Sequence, residues 1–375
     1  MRIVHVIPAL TKGGAEKVLV DLANEAHRRG HEVSIIAGQP ADPRLIRDRL
    51  DPAIDLQVVS PREGQKLTAY GALPLWLWRR RAWFDGVDVV HCHLTYAAVL
   101  GTLLKVQRHL RGQRRPAIVE TFHGVGMPIR PRQRWLAAAL ASGRDGFAVM
   151  AEDPFWSDFL RRHPALLSAV IPNGLAIDAV PSSEEVGAWR RNTGIPMGAQ
   201  IVGTIGRIRA ERNPFATLAA FAVVARHMPE VHFIMGGDGP MIEAVRAKAT
   251  ELGLGQRLHL PGLVVDPQVA IGNMDLYLSM NVGSITGIAG LEAAAMEVPL
   301  ISLQAREDYR TGHCDWIWSD PDPAVVGNEL TRLLQSPAEL EAIGQRQRAH
   351  VAAQYSVAAM QDAYERLYAA AIEAK

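Results

Sequence analysis

The sequence predicts an α/β protein made of two doubly wound domains, and three observations support this fold class. Short apolar runs alternate with amphipathic helical patterns along most of the chain, as expected where helices cover both faces of a parallel sheet. The length of 375 residues suits two domains of ordinary size better than one. Hydrophobic residues make up 48% of the chain and charged residues 21%, which excludes an intrinsically disordered protein.

The first half begins with a βαβ unit. Residues 3–7 form an apolar run, residues 16–28 an amphipathic helical pattern and residues 32–37 a second apolar run. Because buried parallel strands are continuous apolar runs, three later runs predict further strands of the same sheet. These runs are residues 87–91, 117–121 and 146–150.

A turn separates the two halves. Pro172, Asn173 and Gly174 are turn formers, and the polar stretch 181–192 follows them. The second half predicts strands at 200–205, 231–235, 257–260, 276–279 and 299–303 and helices at 214–227 and 241–252. The predicted domains are residues 1–172 and 173–355, and residues 356–375 form a final helix that could cross back onto the first domain.

Composition and charge narrow the cellular context. No apolar run reaches the ~18–20 residues that span a bilayer, and the apolar start is too short for a signal peptide core. Cys92 and Cys314 stand far apart and indicate neither a disulfide framework nor a zinc site, so we expect a cytoplasmic protein. The net charge is only +1, yet the first half is basic and the second acidic. The first half therefore meets an anionic partner or has a solvated basic surface.

Glycines follow several of the predicted strands. Gly13 and Gly14 precede the first helix, where backbone N–H groups and the helix N-terminus suit an anionic ligand, although a plain tight turn explains them equally well. Arg207 and Arg212 follow Gly206 in a loop before the next helix. Loop arginines are usually solvated, but at the carboxyl end of a strand two guanidinium groups can converge on a diphosphate.

The residues around Gly237 form a second glycine-rich segment at the end of a predicted strand. The loop that begins at residue 284 leads into a predicted helix. The N–H groups of Gly287, Ile288 and Ala289 at the start of that helix suit a phosphate. Glu292, one turn in, either accepts hydrogen bonds from ribose hydroxyls or pairs with the helix dipole.

The order of these motifs resembles family 4 retaining glycosyltransferases of the GT-B fold, over nearly the whole chain. The motifs are the Gly-Gly turn at 13–14, Asp-Val-Val-His-Cys-His at 88–93, Thr-Phe-His-Gly at 121–124, Val-Ile-Pro-Asn-Gly at 170–174, Gly-Arg at 206–207, Gly-Asp-Gly-Pro at 237–240 and the helix of Glu292. The resemblance implies two Rossmann-like domains with a cleft between them. It places the nucleotide sugar on the second domain and the acceptor on the first, with no metal and no cofactor.

The resemblance also assigns site residues. Arg207 and Arg212 would bind the diphosphate, with Arg212 standing where the family usually has lysine, and Glu292 would contact the ribose. Gly13 and Gly14 match the loop near the donor phosphates. The swap from lysine to arginine keeps the positive charge and adds a planar fork of donors.

His123 matches the family's active-site histidine at the end of a first-domain strand. A neutral imidazole there would orient a sugar hydroxyl, and a charged one would stabilise phosphate charge. His91 and His93 suggest a metal pair, but without a third ligand we interpret them as structural or acceptor-side groups.

The loop before Glu292 departs from the family pattern. Ser284 stands where the family has its first glutamate, a donor-sugar contact, so the identity of the sugar is open and a loss of activity is an alternative. Thr286, in the same loop, is a further predicted substrate-binding residue.

The predicted function is retaining transfer of a sugar from a nucleotide-diphosphate sugar to a glycan or lipid-linked acceptor, in polysaccharide, lipopolysaccharide or glycolipid biosynthesis. A non-catalytic sugar-nucleotide-binding scaffold and a nucleotide-sugar epimerase are the alternatives. A phosphorylase is disfavoured because Lys248, the one lysine between residues 200 and 335, lies in a surface-helix pattern.

Tryptophans and arginines cluster at residues 76–83 and 130–135. Such a mixture suits an anionic membrane surface at the inner face of the cytoplasmic membrane, whereas a helix packed on the core by its tryptophans is the alternative. No nucleic-acid partner is predicted.

Overall fold

A computed structural model describes residues 1–10, 14–40, 42–43, 49–60, 66–123, 131–176, 180–264, 267–279, 287–303, 317–319 and 322–374. The chain divides into two compact units. Unit 1 comprises Met1–Ala176 and Ser356–Lys375, and unit 2 comprises Ile177–Tyr355. Each unit contains one parallel sheet with helices packed against it.

Unit 1 has a seven-stranded parallel sheet in the order β3-β2-β1-β4-β5-β6-β7. Its strands are β1 (Arg2–Ile7), β2 (Glu32–Ala37), β3 (Asp55–Val58), β4 (Val89–His93), β5 (Ala117–Phe122), β6 (Gly146–Val149) and β7 (Leu167–Val170). Its helices are α1 (Gly14–Arg28), α2 (Lys66–Arg79), α3 (Leu94–Leu110), α4 (Pro131–Ala141), α5 (Pro154–Arg162) and the C-terminal helix (Val357–Glu373). The central strands are buried because helices cover the sheet, which explains their continuous apolar runs.

Unit 2 has a six-stranded parallel sheet in the equivalent order, β10-β9-β8-β11-β12-β13. Its strands are β8 (Ile201–Ile205), β9 (His232–Gly236), β10 (Leu258–His259), β11 (Leu276–Ser279), β12 (Leu300–Leu303) and β13 (Ile317–Ser319). Its helices are α6 (Ser183–Thr193), α7 (Pro214–His227), α8 (Ile242–Glu251), α9 (Pro267–Ile271), α10 (Ile288–Ala295), α11 (Pro323–Leu334) and α12 (Pro337–Gln354). Both sheets thus have the doubly wound order. From the first strand, successive strands are added towards one edge of the sheet, and the chain then returns to the centre and adds the remaining strands towards the other edge.

The C-terminal helix packs against unit 1, on β5, β6, β7 and α1. Tyr364 and Tyr368 are 2% and 1% exposed, so this helix buries aromatic area against the sheet. An ion pair between Arg29 and Asp362, at 2.5 Å, and a hydrogen bond between His31 and Glu365, at 3.0 Å, join it to the residues just after α1.

The polar stretch 181–192 near the predicted domain boundary contains the helix α6, which was not predicted from the sequence. Ser182 and Glu185 form a reciprocal capping box at its start, and Gly194 ends it with a φ of +71°. The Ser-x-x-Glu spacing is a sequence signal for a helix start that the polar composition concealed.

Candidate functional site

Polar side chains gather on one face of the unit 1 sheet, across β1, β4 and β5. In the strand register His5 lies beside His91, and His93 lies beside Thr121. Residues two apart in a strand share a face, so His91 and His93 project together. Their ring centroids are 4.0 Å apart, and the rings of His93 and His123 are 5.3 Å apart.

Three of these imidazoles form a hydrogen-bonded chain. His5 Nδ1 lies 3.2 Å from His93 Nε2, and His93 Nδ1 lies 3.0 Å from His123 Nε2. The outer nitrogens, His5 Nε2 and His123 Nδ1, are buried and have no hydrogen-bond partner among the described residues. Polar groups buried in this way usually have a partner, so the two ends of the chain call for a functional account.

His91 belongs to a separate network that the C-terminal helix completes. Its Nε2 lies 2.7 Å from Thr121 Oγ1, and its Nδ1 lies 2.7 Å from the hydroxyl of Tyr368. Thr121 Oγ1 in turn lies 2.8 Å from the hydroxyl of Tyr364. The two tyrosines therefore close this face of the sheet.

Burial keeps the histidines of this group neutral. It lowers the pKa of His5 to about 3 and that of His123 to about 4. Burial, together with the neighbouring imidazoles, holds the pKa values of His91 and His93 well below their usual range. Of the two roles predicted for His123, the structure favours the neutral imidazole that hydrogen-bonds a substrate oxygen.

His5 is the third histidine that the sequence did not reveal beside His91 and His93. One nitrogen from each ring lies within 4.8 Å of the other two, a spacing that permits metal ligation. Both nitrogens of His91 are already hydrogen-bonded, however, so a metal ion there would displace a bond to Thr121 or Tyr368. The pairing of β1 with β4 is the signal that would have placed His5 in the group.

In unit 2 the loops after β8 and β9 lie against each other. Gly206 N donates to Gly236 O at 2.9 Å, and Gly237 has a φ of +137°. A Cβ at Gly237 would lie 1.9 Å from Gly206 O, so only glycine fits there. This contact brings the predicted residues Gly206 and Gly237 together, and Arg207 beside them is exposed.

Arg212 and Glu292 surround the same strand end. Arg212 is exposed and closes the short 3₁₀ turn Ala210–Arg212 before α7, whereas Glu292 in α10 is 3% exposed. Both charges act on the hydroxyl of Tyr277, whose pKa burial raises to about 12. That hydroxyl accepts from Ile205 N at 3.0 Å and donates to Ile205 O at 2.9 Å.

Tyr277 is a residue that sequence reasoning missed. It lies on β11 and fixes the carboxyl end of β8, the strand that leads into Gly206 and Arg207. β8 and β11 are the neighbours at which the strand order of this sheet reverses, which is where open α/β sheets bind ligands.

The helix α10 begins directly after Gly287, whose lack of a side chain leaves the helix start without a side-chain cap. The N–H groups of Ile288 and Ala289 belong to the first turn, where an α-helix offers no internal acceptor. They remain candidates for a phosphate ligand. Gly14 is the exposed first residue of α1, while Gly13, Ser284 and Thr286 lie outside the described residues.

Two family models match the chain. One, described as Glycosyltransferase Family 4, matches residues 12–179, and the other, described as Glycosyl transferases group 1, matches residues 199–336. Together they span most of both units.

Curated relatives are similar at low identity. The D-inositol 3-phosphate glycosyltransferase of Corynebacterium efficiens is 23% identical over 370 residues, covering 86% of this chain and 84% of the relative. The alpha-monoglucosyldiacylglycerol synthase of Streptococcus pneumoniae is 24% identical over 235 residues, covering 58% of this chain. That match spans about half the relative's length, 52%.

Solved structures confirm the predicted fold. HepE of Anabaena in complex with UDP-glucose has a TM-score of 0.77 at 18% identity, covering 98% of both chains. Sucrose-phosphate synthase from Thermosynechococcus elongatus has a TM-score of 0.75 at 19% identity, covering 100% of both chains. The chain therefore has the GT-B architecture of two parallel-sheet α/β domains.

Proposed function

The chain belongs to the group 1, family 4 glycosyltransferases, and from that premise we propose that it transfers a sugar from a nucleotide-diphosphate sugar with retention of configuration. The observation that carries the proposal is the carboxyl end of β8, where the glycine loops, two exposed arginines and Glu292 meet at the reversal of the strand order. HepE, a protein of the same fold, has been solved with UDP and with UDP-glucose.

The donor diphosphate is assigned to unit 2. Arg207 and Arg212 supply bidentate donors and positive charge, and the start of α10 supplies backbone N–H groups and the positive end of a helix dipole. Glu292 would accept the ribose hydroxyls. Gly237 allows the loops after β8 and β9 to lie in contact, because any side chain there would overlap Gly206.

The reaction follows from these parts. The bond between sugar C1 and the diphosphate oxygen breaks, the electron pair leaves on that oxygen, and the two arginines stabilise the developing charge. The acceptor hydroxyl attacks C1 from the same face, and its proton passes to the departing phosphate oxygen. Because the arginines and α10 supply the positive charge, neither a metal nor a cofactor is required. His123 of unit 1, as a neutral imidazole, would hydrogen-bond a sugar hydroxyl.

The acceptor is a polyol phosphate, a glycan or a lipid-linked hydroxyl in glycolipid or envelope polysaccharide synthesis. The names of the relatives support this class, since one acts on inositol 3-phosphate and one is a diacylglycerol glycolipid synthase. The basic first half agrees with a phosphorylated or membrane-bound acceptor.

A membrane surface is the proposed partner of unit 1, at the inner face of the cytoplasmic membrane. Trp76 and Trp83 pack partly on the core, whereas Trp78 is 61% exposed. Arg80 lies 4.9 Å from the ring centroid of Trp76 and Arg81 5.0 Å from that of Trp78, so basic and aromatic groups alternate at this surface. Among the helices that the structure describes, none combines the length and the apolar character needed to span a bilayer.

The membrane proposal has a direct test. The protein should sediment with anionic liposomes at low salt, and Trp78→Ser with Arg81→Ser should abolish this. Trp189→Ser with Arg191→Ser, on α6 of unit 2, is the matched control. Equal sedimentation with neutral and anionic liposomes, or none with either, would refute it.

A transfer assay tests the proposed activity. The protein is incubated with single nucleotide sugars and with inositol phosphate or diacylglycerol as acceptor, and NMR follows the donor and the product's anomeric configuration. Nucleoside diphosphate release that requires an acceptor, with the donor's configuration kept in the product, supports retaining transfer. Conversion of donor without acceptor would indicate the epimerase, and binding without turnover would indicate the scaffold.

A further inference from the structure

The imidazole chain of His5, His93 and His123 constrains where its protons lie. A neutral imidazole carries one N–H and one bare nitrogen, and a hydrogen bond between two rings needs one of each. His93 bonds through both of its nitrogens. The N–H groups must therefore point in the same direction in all three rings, so that all three are Nδ1–H tautomers or all three are Nε2–H tautomers.

The surroundings of the two ends favour one direction. In the Nε2–H arrangement His5, which is 1% exposed, would bury an N–H group that has no acceptor among the described residues. The Nδ1–H arrangement instead places the unpartnered donor at His123 Nδ1, which is also buried. The His123 ring is only half-buried and lies just beyond the end of β5, whereas His5 is enclosed in the middle of the sheet. A ligand can therefore supply the missing acceptor at the His123 end of the chain and not at the His5 end.

The backbone is strained immediately after His93. Leu94 follows directly and has a φ of +68°, a left-handed conformation that costs a residue with a Cβ atom about 1–2 kcal/mol. Such strain persists where the surrounding structure requires it and is concentrated at functional sites. Here it accompanies the change from β4 to α3 immediately beside the central ring of the chain.

We propose that His5 and His93 are positioning residues that hold His123 as its Nδ1–H tautomer, which donates a hydrogen bond to an oxygen of a sugar bound at unit 1. A donor fixed in advance stabilises charge that develops on such an oxygen. The identity of that ligand rests on the proposed function, whereas the tautomer does not. The low pKa values of the three rings agree, because at neutral pH only the location of one proton per ring can vary.

The test is ¹⁵N NMR of the histidine side chains in the intact protein without substrate. His123 is assigned from His123→Gln, and the exposed ring of His109 serves as a reference for a solvated histidine. We expect a protonated Nδ1 and a bare Nε2 in each of His5, His93 and His123. Free histidine favours the Nε2–H form, so three Nδ1–H rings would not arise from solvation alone. A mixture of tautomers among the three, or Nε2–H in all, would overturn the proposal.

Two variants separate coupling from packing. His5→Leu removes the donor to His93 and should turn His123 into a mixture of tautomers and lower kcat about tenfold, with the donor KM unchanged. His5→Asn offers an amide N–H at the same place and should restore both readings. An unchanged His123 spectrum in a folded His5→Leu would also overturn the proposal. Loss of transfer with the Nδ1–H state intact would instead count against the proposed function.

Discussion

In both units the strand order reverses beside the first strand, at β1 and β4 in unit 1 and at β8 and β11 in unit 2. Unit 1 places packed, neutral imidazoles there, and Tyr364 and Tyr368 hydrogen-bond to Thr121 and His91. Unit 2 places glycines and exposed arginines there. Under the proposed function, the same topology places a ligand site in each unit, and the side chains make the site of unit 1 suit a hydroxyl and that of unit 2 an anion.

Arg207→Ala tests the anion site proposed for unit 2. Loss of a charged donor to the leaving diphosphate should reduce kcat/KM by ~10²–10³-fold and weaken nucleoside diphosphate binding. Steady-state kinetics and calorimetric titration measure the two effects. Arg209→Ala, an exposed arginine of the same loop, is the matched control and should stay near wild type. Equal losses in the two variants would mean that only net charge matters.

His123→Ala tests the hydrogen-bonding role proposed for unit 1. Removing an oriented hydrogen-bonding group should lower kcat by ~10²-fold, while nucleoside diphosphate binding to unit 2 stays unchanged. Turnover and titration on the same preparation give both readings, and His109→Ala provides an exposed histidine as control. A loss of binding as large as the loss of turnover would refute the division of roles.

Gly237→Ala tests the backbone contact of unit 2. The new Cβ would overlap Gly206 O at a left-handed φ of +137°, so the loop must shift, and we expect a destabilisation of about 2–4 kcal/mol. Gly253→Ala has a φ of +71° with open space around the new Cβ, and it should cost less than half as much. Denaturant unfolding measures both variants, and equal midpoints would contradict the close approach.

The histidine group predicts an acid-sensitive unit 1. Burial lowers the pKa of His5 and His123 in the folded chain, so below the usual value of 6.5 the unfolded chain binds more protons. Their contribution to stability is present above pH 6.5 and is lost as the pH falls towards about 4. Each ring adds a slope of up to about 1.4 kcal/mol per pH unit. Between pH 4 and pH 6.5, the melting midpoint of His5→Asn should depend less steeply on pH than that of the wild type. An equal pH dependence in the two proteins would contradict burial of a neutral His5 ring.

Tyr277→Phe tests whether the Tyr277 hydroxyl supports the nucleotide site of unit 2, and its expected effect is the smallest of the five. Without its hydroxyl, Ile205 loses two hydrogen bonds and the strand end loosens, so nucleoside diphosphate affinity should fall about three- to tenfold. Tyr364→Phe removes a buried hydroxyl from unit 1 and should leave that affinity unchanged. Titration calorimetry decides between them, and parallel losses would point to general destabilisation.

Local patterns predicted the elements, whereas long-range contacts escaped sequence reasoning. The strands at 32–37 and 276–279 and the helix at 214–227 have the predicted bounds, because continuous apolar runs and a Pro at a helix start are local signals. The partly exposed strands β3 and β7 have no such run and were missed.

The candidate site shows the same limit. His123, Arg207 and Glu292 were predicted from motifs, but the contacts of His5 and Tyr277 depend on which strands become neighbours. The hydroxyl of Tyr368 bonds His91 across 277 positions of sequence, a contact that no local pattern encodes.

The most direct test of the division between the two units is a thermal-shift panel of uridine, guanosine, adenosine and thymidine diphosphates on wild type, Arg207→Ala and His123→Ala. A ligand that binds only the folded state raises the melting midpoint. We predict that one nucleoside diphosphate raises it in wild type and in His123→Ala and has no effect in Arg207→Ala. A shift that Arg207→Ala retains, or no shift with any nucleotide, would contradict the assignment of the donor diphosphate to unit 2.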